Sequence, residues 1–119
     1  MNKDISINEL MSQIKQFCDD RDWEQYHNPK DLAIGIATEA SELLDIFRFK
    51  SEDDMKEMLN DSEKKKEISK EVIDVLYFTL RFAQMNDINI CSEFEEKMKS
   101  NEIKYPIEKF KGSNKKYNE

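Results

Sequence analysis

Apolar residues recur along this chain every three or four positions and hardly anywhere at every second position, which predicts helices and no strand. Ser6 followed by Glu9 predicts a capping box, and Leu10, Met11, Ile14 and Phe17 continue at helical spacing, so a first helix is expected over residues 7 to 20. The stretch RDWEQYHNP interrupts, and Pro29, suited to the first turn of a helix, introduces a second over 30 to 49. SEDDMKEMLNDSEKKKE reads as a charged connector in which Met55, Met58 and Leu59 allow a short helix. A third helix is expected over 64 to 86, with Ile68, Val72, Val75, Leu76, Thr79 and Ala83 on one face, ended by Asn86 and Asp87. Ser92 with Glu95 predicts a capping box for a fourth over 92 to 103, which Pro106 stops. The pattern as a whole predicts an all-α four-helix bundle with antiparallel neighbours over residues 1 to 106, followed by a loose polar tail over 107 to 119.

The second and third of these helices are not simply amphipathic. Ala37, Ala40, Leu43, Leu44 and Phe47 supply one stripe of the second, yet Ile34, Ile46 and Phe49 fall on its other side, beside Glu39 and Glu42. Residues three apart lie about 60° apart on a helical wheel, so the two carboxylates share a face framed by apolar side chains. The third helix repeats this, with Phe78 between Glu71 and Asp74 and with Phe82 and Met85 nearby. Four carboxylates brought together in a partly dry site cannot all stay ionised without a compensating charge. A hard divalent cation such as Mg²⁺, which takes oxygen ligands and shares them with phosphates, resolves the conflict. Carboxylate pairs three apart on a helix also commonly mark a solvated face, and the spacing alone leaves both readings open.

Composition narrows the setting. A length of 119 residues suits one domain, and 38% charged residues with only two Gly and two Pro suit a helical one. The net charge of −7 argues against an electrostatic grip on nucleic acid or anionic lipid. No apolar run approaches the roughly 20 residues of a membrane span, and the N-terminus lacks the apolar core of a secretory signal, so a cytoplasmic location is expected. Cys18 and Cys91 are isolated, which predicts two reduced cysteines in or near the core. Glu24 and His27 form an E-x-x-H, but a di-iron bundle needs two such motifs and this chain has a single His, just ahead of Asn28 and Pro29. With glycine only at 35 and 112, neither a Walker A loop nor a dinucleotide fingerprint can be built.

Four segments together carry a resemblance: RDWEQYHNPKDL at 21 to 32, EASELLDIFRFK at 39 to 50, KEVIDVLYF at 70 to 78 and KMKSNEIKYP at 97 to 106. In this order and spacing, over residues 7 to 106, the chain resembles the MazG-like all-α nucleoside triphosphate pyrophosphohydrolases, and among them the dCTP pyrophosphatase branch. That resemblance implies hydrolysis of a (deoxy)nucleoside triphosphate, dCTP or a related dNTP, to the monophosphate and pyrophosphate. It implies Mg²⁺, with Mn²⁺ able to substitute, held by Glu39, Glu42, Glu71 and Asp74, with Glu39 or Glu42 orienting or deprotonating the attacking water. Lys97, Asn101 and Lys104, at spacings of four and three, would face the phosphates, and Tyr105 would hold the chain end or donate to a phosphate. The resemblance places Trp23 against the base in a neighbouring subunit's pocket, with Phe49 and Phe78 lining it. Animal members carry Trp and Tyr at those last two positions and His at the position of Ile14, so the metal-binding residues match while the base-recognising ones differ. A homodimer or homotetramer is implied as well. The alternatives are a helical interaction module with solvated acidic faces and a family member specialised for dUTP or a modified nucleotide.

Overall fold

The computed structural model describes residues 4–119, and every regular element among them is helical. The chain divides into two compact units, Met1–Asp87 and Ile88–Glu119. The first holds α1 (Ile7–Asp20), a 3₁₀ turn (Glu24–Tyr26), α2 (Pro29–Phe47), α3 (Glu52–Asn60) and α4 (Ser62–Met85); the second holds α5 (Ile90–Lys104) and α6 (Ile107–Phe110).

Capping side chains set most of these boundaries. Ser6 Oγ accepts the Glu9 amide at 3.1 Å, as its sequence predicts. Asn28 Oδ1 accepts the Asp31 amide at 2.8 Å, with Pro29 in the first turn of α2. The charged connector does form a helix, α3, because Ser51 and Asp54 exchange a reciprocal pair of capping bonds at 3.1 Å each. Asp61 then ends α3 and caps α4 through the Glu63 amide, so α4 begins two residues earlier than the apolar pattern suggests. The capping box expected at Ser92 is not the start of α5. Asn89 Oδ1 accepts the Ser92 amide at 3.1 Å, which places Ile90 inside the helix. In the second unit, residues 107–119 contain the short α6 and a turn at Gly112, whose φ of 80° suits a residue without Cβ.

Within the first unit α2 packs mainly on α4, and pairings read in opposite directions show that the two run antiparallel. His27 meets Arg81, Gly35 meets Phe78, and Glu39 meets Glu71. The chain of α1 also runs against α4, since Met11 pairs with Gln84 and Cys18 with Tyr77.

The buried faces differ from those expected. On α2 the covered positions are Leu32, Gly35, Ile36, Glu39, Leu43, Ile46 and Phe47, so Leu43 and Phe47 of the expected stripe are covered, whereas its Ala37, Ala40 and Leu44 are exposed. On α4, Ile68 and Ala83 are buried and Val75 is covered as expected, but Val72, Leu76 and Thr79 are exposed, and Glu71, Phe78 and Phe82 are covered in their place. Both helices are apolar nearly all round, so sequence periodicity could not select the face that packing uses. Cys18 is fully buried with Sγ 3.3 Å from the Tyr77 hydroxyl, while Cys91 is exposed rather than near the core.

Candidate functional site

Glu39 and Glu71 occupy core-facing positions of two antiparallel helices, and that placement creates the site. One carboxylate oxygen from each of Glu39, Glu42 and Glu71 lies within 4.8 Å of the others. Glu39 and Glu71 are half-buried, and Glu42 is exposed one turn along α2 from Glu39. Oε2 of Glu39 and Oε2 of Glu71 are both buried with no hydrogen-bond partner among the described residues. Buried carboxylate oxygens without donors are costly, and nearby like charges add to the cost.

Their acidity reflects that conflict. The Glu39 carboxyl is pushed up from 4.5 to about 7, first by a hydrogen bond to Glu42, which only the protonated acid can donate, and then by burial and by the charges of Glu42 and Asp74. Burial is the main cause that raises Glu71, followed by the charge of Glu42. Asp74, the fourth expected ligand, lies outside the converging trio and is exposed, but its charge raises both Glu39 and Glu71. The cluster offers only hard oxygen donors, and the two orphaned oxygens are what a bound cation would satisfy. The residues therefore fit a divalent metal of the Mg²⁺ or Mn²⁺ type.

The aromatic residues expected around a base divide into three situations. Phe78 is half-buried against Gly35, where a Cβ would lie 2.5 Å from its ring, so it sets the approach of α2 and α4 and lies at their interface. Phe49 is 91% exposed. Its position on the helical wheel does not apply, because α2 ends at Phe47 and Phe49 adopts a φ of 63°, unusual for a bulky side chain. The Arg48 guanidinium lies 4.8 Å from the Phe49 ring centroid. Trp23 is partly exposed just ahead of the 3₁₀ turn, edge-on to Phe17 at 5.5 Å and to His27 at 6.2 Å. Ile14 helps line an apolar cleft of about 270 Å³ between α1 and α4, together with Leu10, Phe17, Ile73 and Leu76.

In the second unit, α5 carries Lys97, Asn101 and Lys104. Tyr105 follows α5, and its amide donates to the Asn101 carbonyl at 2.8 Å. Its ring meets Phe110 at 4.9 Å and Tyr117 at 6.2 Å, while Lys104 Nζ lies 5.1 Å from the Tyr117 ring centroid. Tyr105 therefore packs against the aromatic residues of the segment after α5. Lys97 makes no ion pair among the described residues.

Two features escaped the sequence. Gly35 is one of two glycines in the sequence, and its close contact with Phe78 is a property of the paired helices. The second is a buried polar network of Arg81, His27 and Gln84, for which a lone cation in the apolar run FTLRFA was the one available signal.

Antiparallel helices that bring three glutamates together, two of them with orphaned oxygens, define an all-helical protein with an acidic cluster able to hold a cation. The chain belongs to the MazG-like family, whose model matches residues 34–119. It is 28% identical to dCTP pyrophosphatase 1 of Mus musculus over 102 residues, 86% of this chain and 60% of that protein. It is 27% identical to dCTP pyrophosphatase 1 of Homo sapiens over 104 residues, 87% of this chain and 61% of that one. The chain thus spans about three fifths of the length of these mammalian relatives. Among solved structures it is similar to a pyrophosphatase from Archaeoglobus fulgidus, with a TM-score of 0.78 and 36% identity over 89% of this chain and 97% of the other. Among the described residues no helix is long and apolar enough to cross a membrane.

Proposed function

We propose that the protein is a Mg²⁺-dependent nucleotide pyrophosphohydrolase that cleaves a (deoxy)nucleoside triphosphate, dCTP or a related dNTP, to the monophosphate and pyrophosphate. The observation that carries this reading is the pair of buried, partnerless oxygens on Glu39 and Glu71 within one converging trio. The relatives named dCTP pyrophosphatase and pyrophosphatase support the reaction class.

Glu39, Glu42 and Glu71 would hold the ion, with Asp74 adding negative charge beside them. When bound, the ion supplies charge neutralisation for the phosphates and lowers the pKa of a coordinated water. Glu39, whose carboxyl is pushed up to about 7 beside Glu42, is able to hold a proton and pass it on near neutral pH. Trp23 and the exposed Phe49 offer flat apolar surfaces for a base. Ile34, Leu44, Val72 and Ile73 leave apolar surface exposed on α2 and α4, which supports assembly as a homodimer or homotetramer.

The test is a panel of nucleoside triphosphates with Mg²⁺, including dUTP and modified bases, with the products separated. The reading predicts the monophosphate and pyrophosphate, in a reaction that chelator stops and Glu71→Gln abolishes. Diphosphate and orthophosphate as products, or full activity in Glu71→Gln, would overturn it.

A further inference from the structure

Arg81 is 1% exposed, yet no carboxylate pairs with it among the described residues. Its Nε–H donates to Nδ1 of His27 at 2.9 Å and its Nη1 to Oε1 of Gln84 at 2.7 Å, while Nη2 finds no partner. Gln84 in turn donates to the Met11 carbonyl on α1 at 2.8 Å. An unpaired buried cation is costly, and an apolar side chain of similar volume would fill the space with less penalty. What the arginine does that Met or Leu cannot is select one state of His27.

An imidazole nitrogen that accepts a hydrogen bond carries no proton, so this contact requires neutral His27 with its proton on Nε2. The ring of His27 meets Trp23 edge-on at 6.2 Å, and Trp23 meets Phe17 of α1 at 5.5 Å. The contacts close a ring: Met11 to Gln84 to Arg81 on α4, then His27, Trp23, and back to α1 at Phe17. His27 and Trp23 bracket the 3₁₀ turn, so fixing one fixes the other. The network lies ten residues beyond Glu71 on α4, roughly 15 Å along the helix axis, and so stands apart from the carboxylates.

We propose that Arg81 is a positioning residue, which by holding His27 in its neutral, Nδ1-accepting state fixes the turn that presents Trp23 to a planar ligand. The ligand part of this statement rests on the nucleotide reading above; the relay from Arg81 to Trp23 does not. Burial and then the charge of Arg81 both push the His27 pKa below 6.5, so the contact persists at neutral pH. Arg81 is the charged group that acts on His27 among the described residues.

The chain has one His and one Trp, so both ends of the relay can be followed without ambiguity. Nitrogen NMR of the His27 ring should show the Nε2-protonated form at neutral pH, and Arg81→Met should move its titration midpoint upward and change Trp23 emission. In turnover, Arg81→Met should raise KM for the nucleotide about threefold to tenfold, the worth of one aromatic contact, with kcat kept. His27→Asn retains an uncharged acceptor near Nδ1 and should keep KM near the wild-type value, with its dependence on acid pH removed; His27→Leu should behave like Arg81→Met. This Asn and Leu pair keeps the test alive if Arg81→Met does not fold. An unchanged His27 midpoint and unchanged Trp23 emission in folded Arg81→Met overturn the proposal, as does a His27→Asn variant as impaired as His27→Leu. If wild-type protein turns over no nucleotide, the functional reading fails by itself and the relay is judged on the two spectroscopic signals.

Discussion

Gly35 and Phe78 face each other across α2 and α4 so closely that a Cβ on Gly35 would lie 2.5 Å from Cδ1 of the Phe78 ring and 2.9 Å from Cγ. This contact lies one helical turn from Glu39 and two from Glu71, so the approach that it permits is what lets the carboxylates converge.

Gly35→Ala should therefore be harmful. Removing a glycine from a helix interior favours folding by about 1 kcal/mol, but overpacking a tight contact costs roughly 1–3 kcal/mol. The clash includes Cγ, near the root of the side chain, so ring rotation cannot relieve it. We expect a net loss of up to about 2 kcal/mol in urea unfolding. A more stable single variant would contradict the packing described.

The raised pKa of Glu39 has a definite sign. An acid whose folded-state pKa lies above its unfolded value takes up a proton on folding, so its contribution to stability falls as pH rises between the two values. For Glu39 that window runs from 4.5 to about 7. In chelator, wild-type protein should lose stability relative to Glu39→Gln as pH rises through this window, and Mg²⁺ should reverse the loss by replacing the proton. Thermal unfolding of both proteins, with and without Mg²⁺, checks this; a pH-independent difference between them would refute the assignment.

Glu39→Gln and Glu71→Gln should separate stability from function. Each removes a like charge from the trio, so each should melt no lower than wild type in chelator at neutral pH, while losing stabilisation by Mg²⁺ and losing turnover. Variants that melt much lower than wild type in chelator would mean that the carboxylates serve the fold.

How much of this could be read in the sequence depended on what kind of contact was involved. Helix positions were legible because capping and periodicity act within a few residues: Ser6, Pro29 and Asn86 lie where the pattern put them. The buried faces were not, since Ala37, Leu44, Val72 and Leu76 are as apolar as the residues that packing covers. The four carboxylates could be singled out from their spacing and the resemblance, but the convergence of Glu39, Glu42 and Glu71, with Asp74 to one side, is a property of two helices brought together. Phe49 left the expected helical register because α2 ends at Phe47 without a Gly or Pro to announce it. Arg81 and His27 are 54 positions apart, and no local pattern encodes their contact.

Phe49 combines near-complete exposure with a positive φ, a conformation that costs a bulky residue roughly 1–3 kcal/mol. Phe49→Gly should leave stability within about 1 kcal/mol of wild type, since little is buried and strain is relieved. If the ring meets the base, KM for the preferred nucleotide should rise about threefold to tenfold with kcat little changed. An unaltered KM would remove Phe49 from the pocket.

Whether Glu39, Glu42 and Glu71 form a cation site can be read from Mn²⁺ titration followed by electron paramagnetic resonance, because only the free ion gives the sharp signal. At least one Mn²⁺ should bind per chain in wild-type protein and be displaced by Mg²⁺, with affinity at least about tenfold weaker in Glu71→Gln. Wild-type protein that leaves all the Mn²⁺ free, or a Glu71→Gln variant that binds it as tightly, would rule out a cation site on these glutamates.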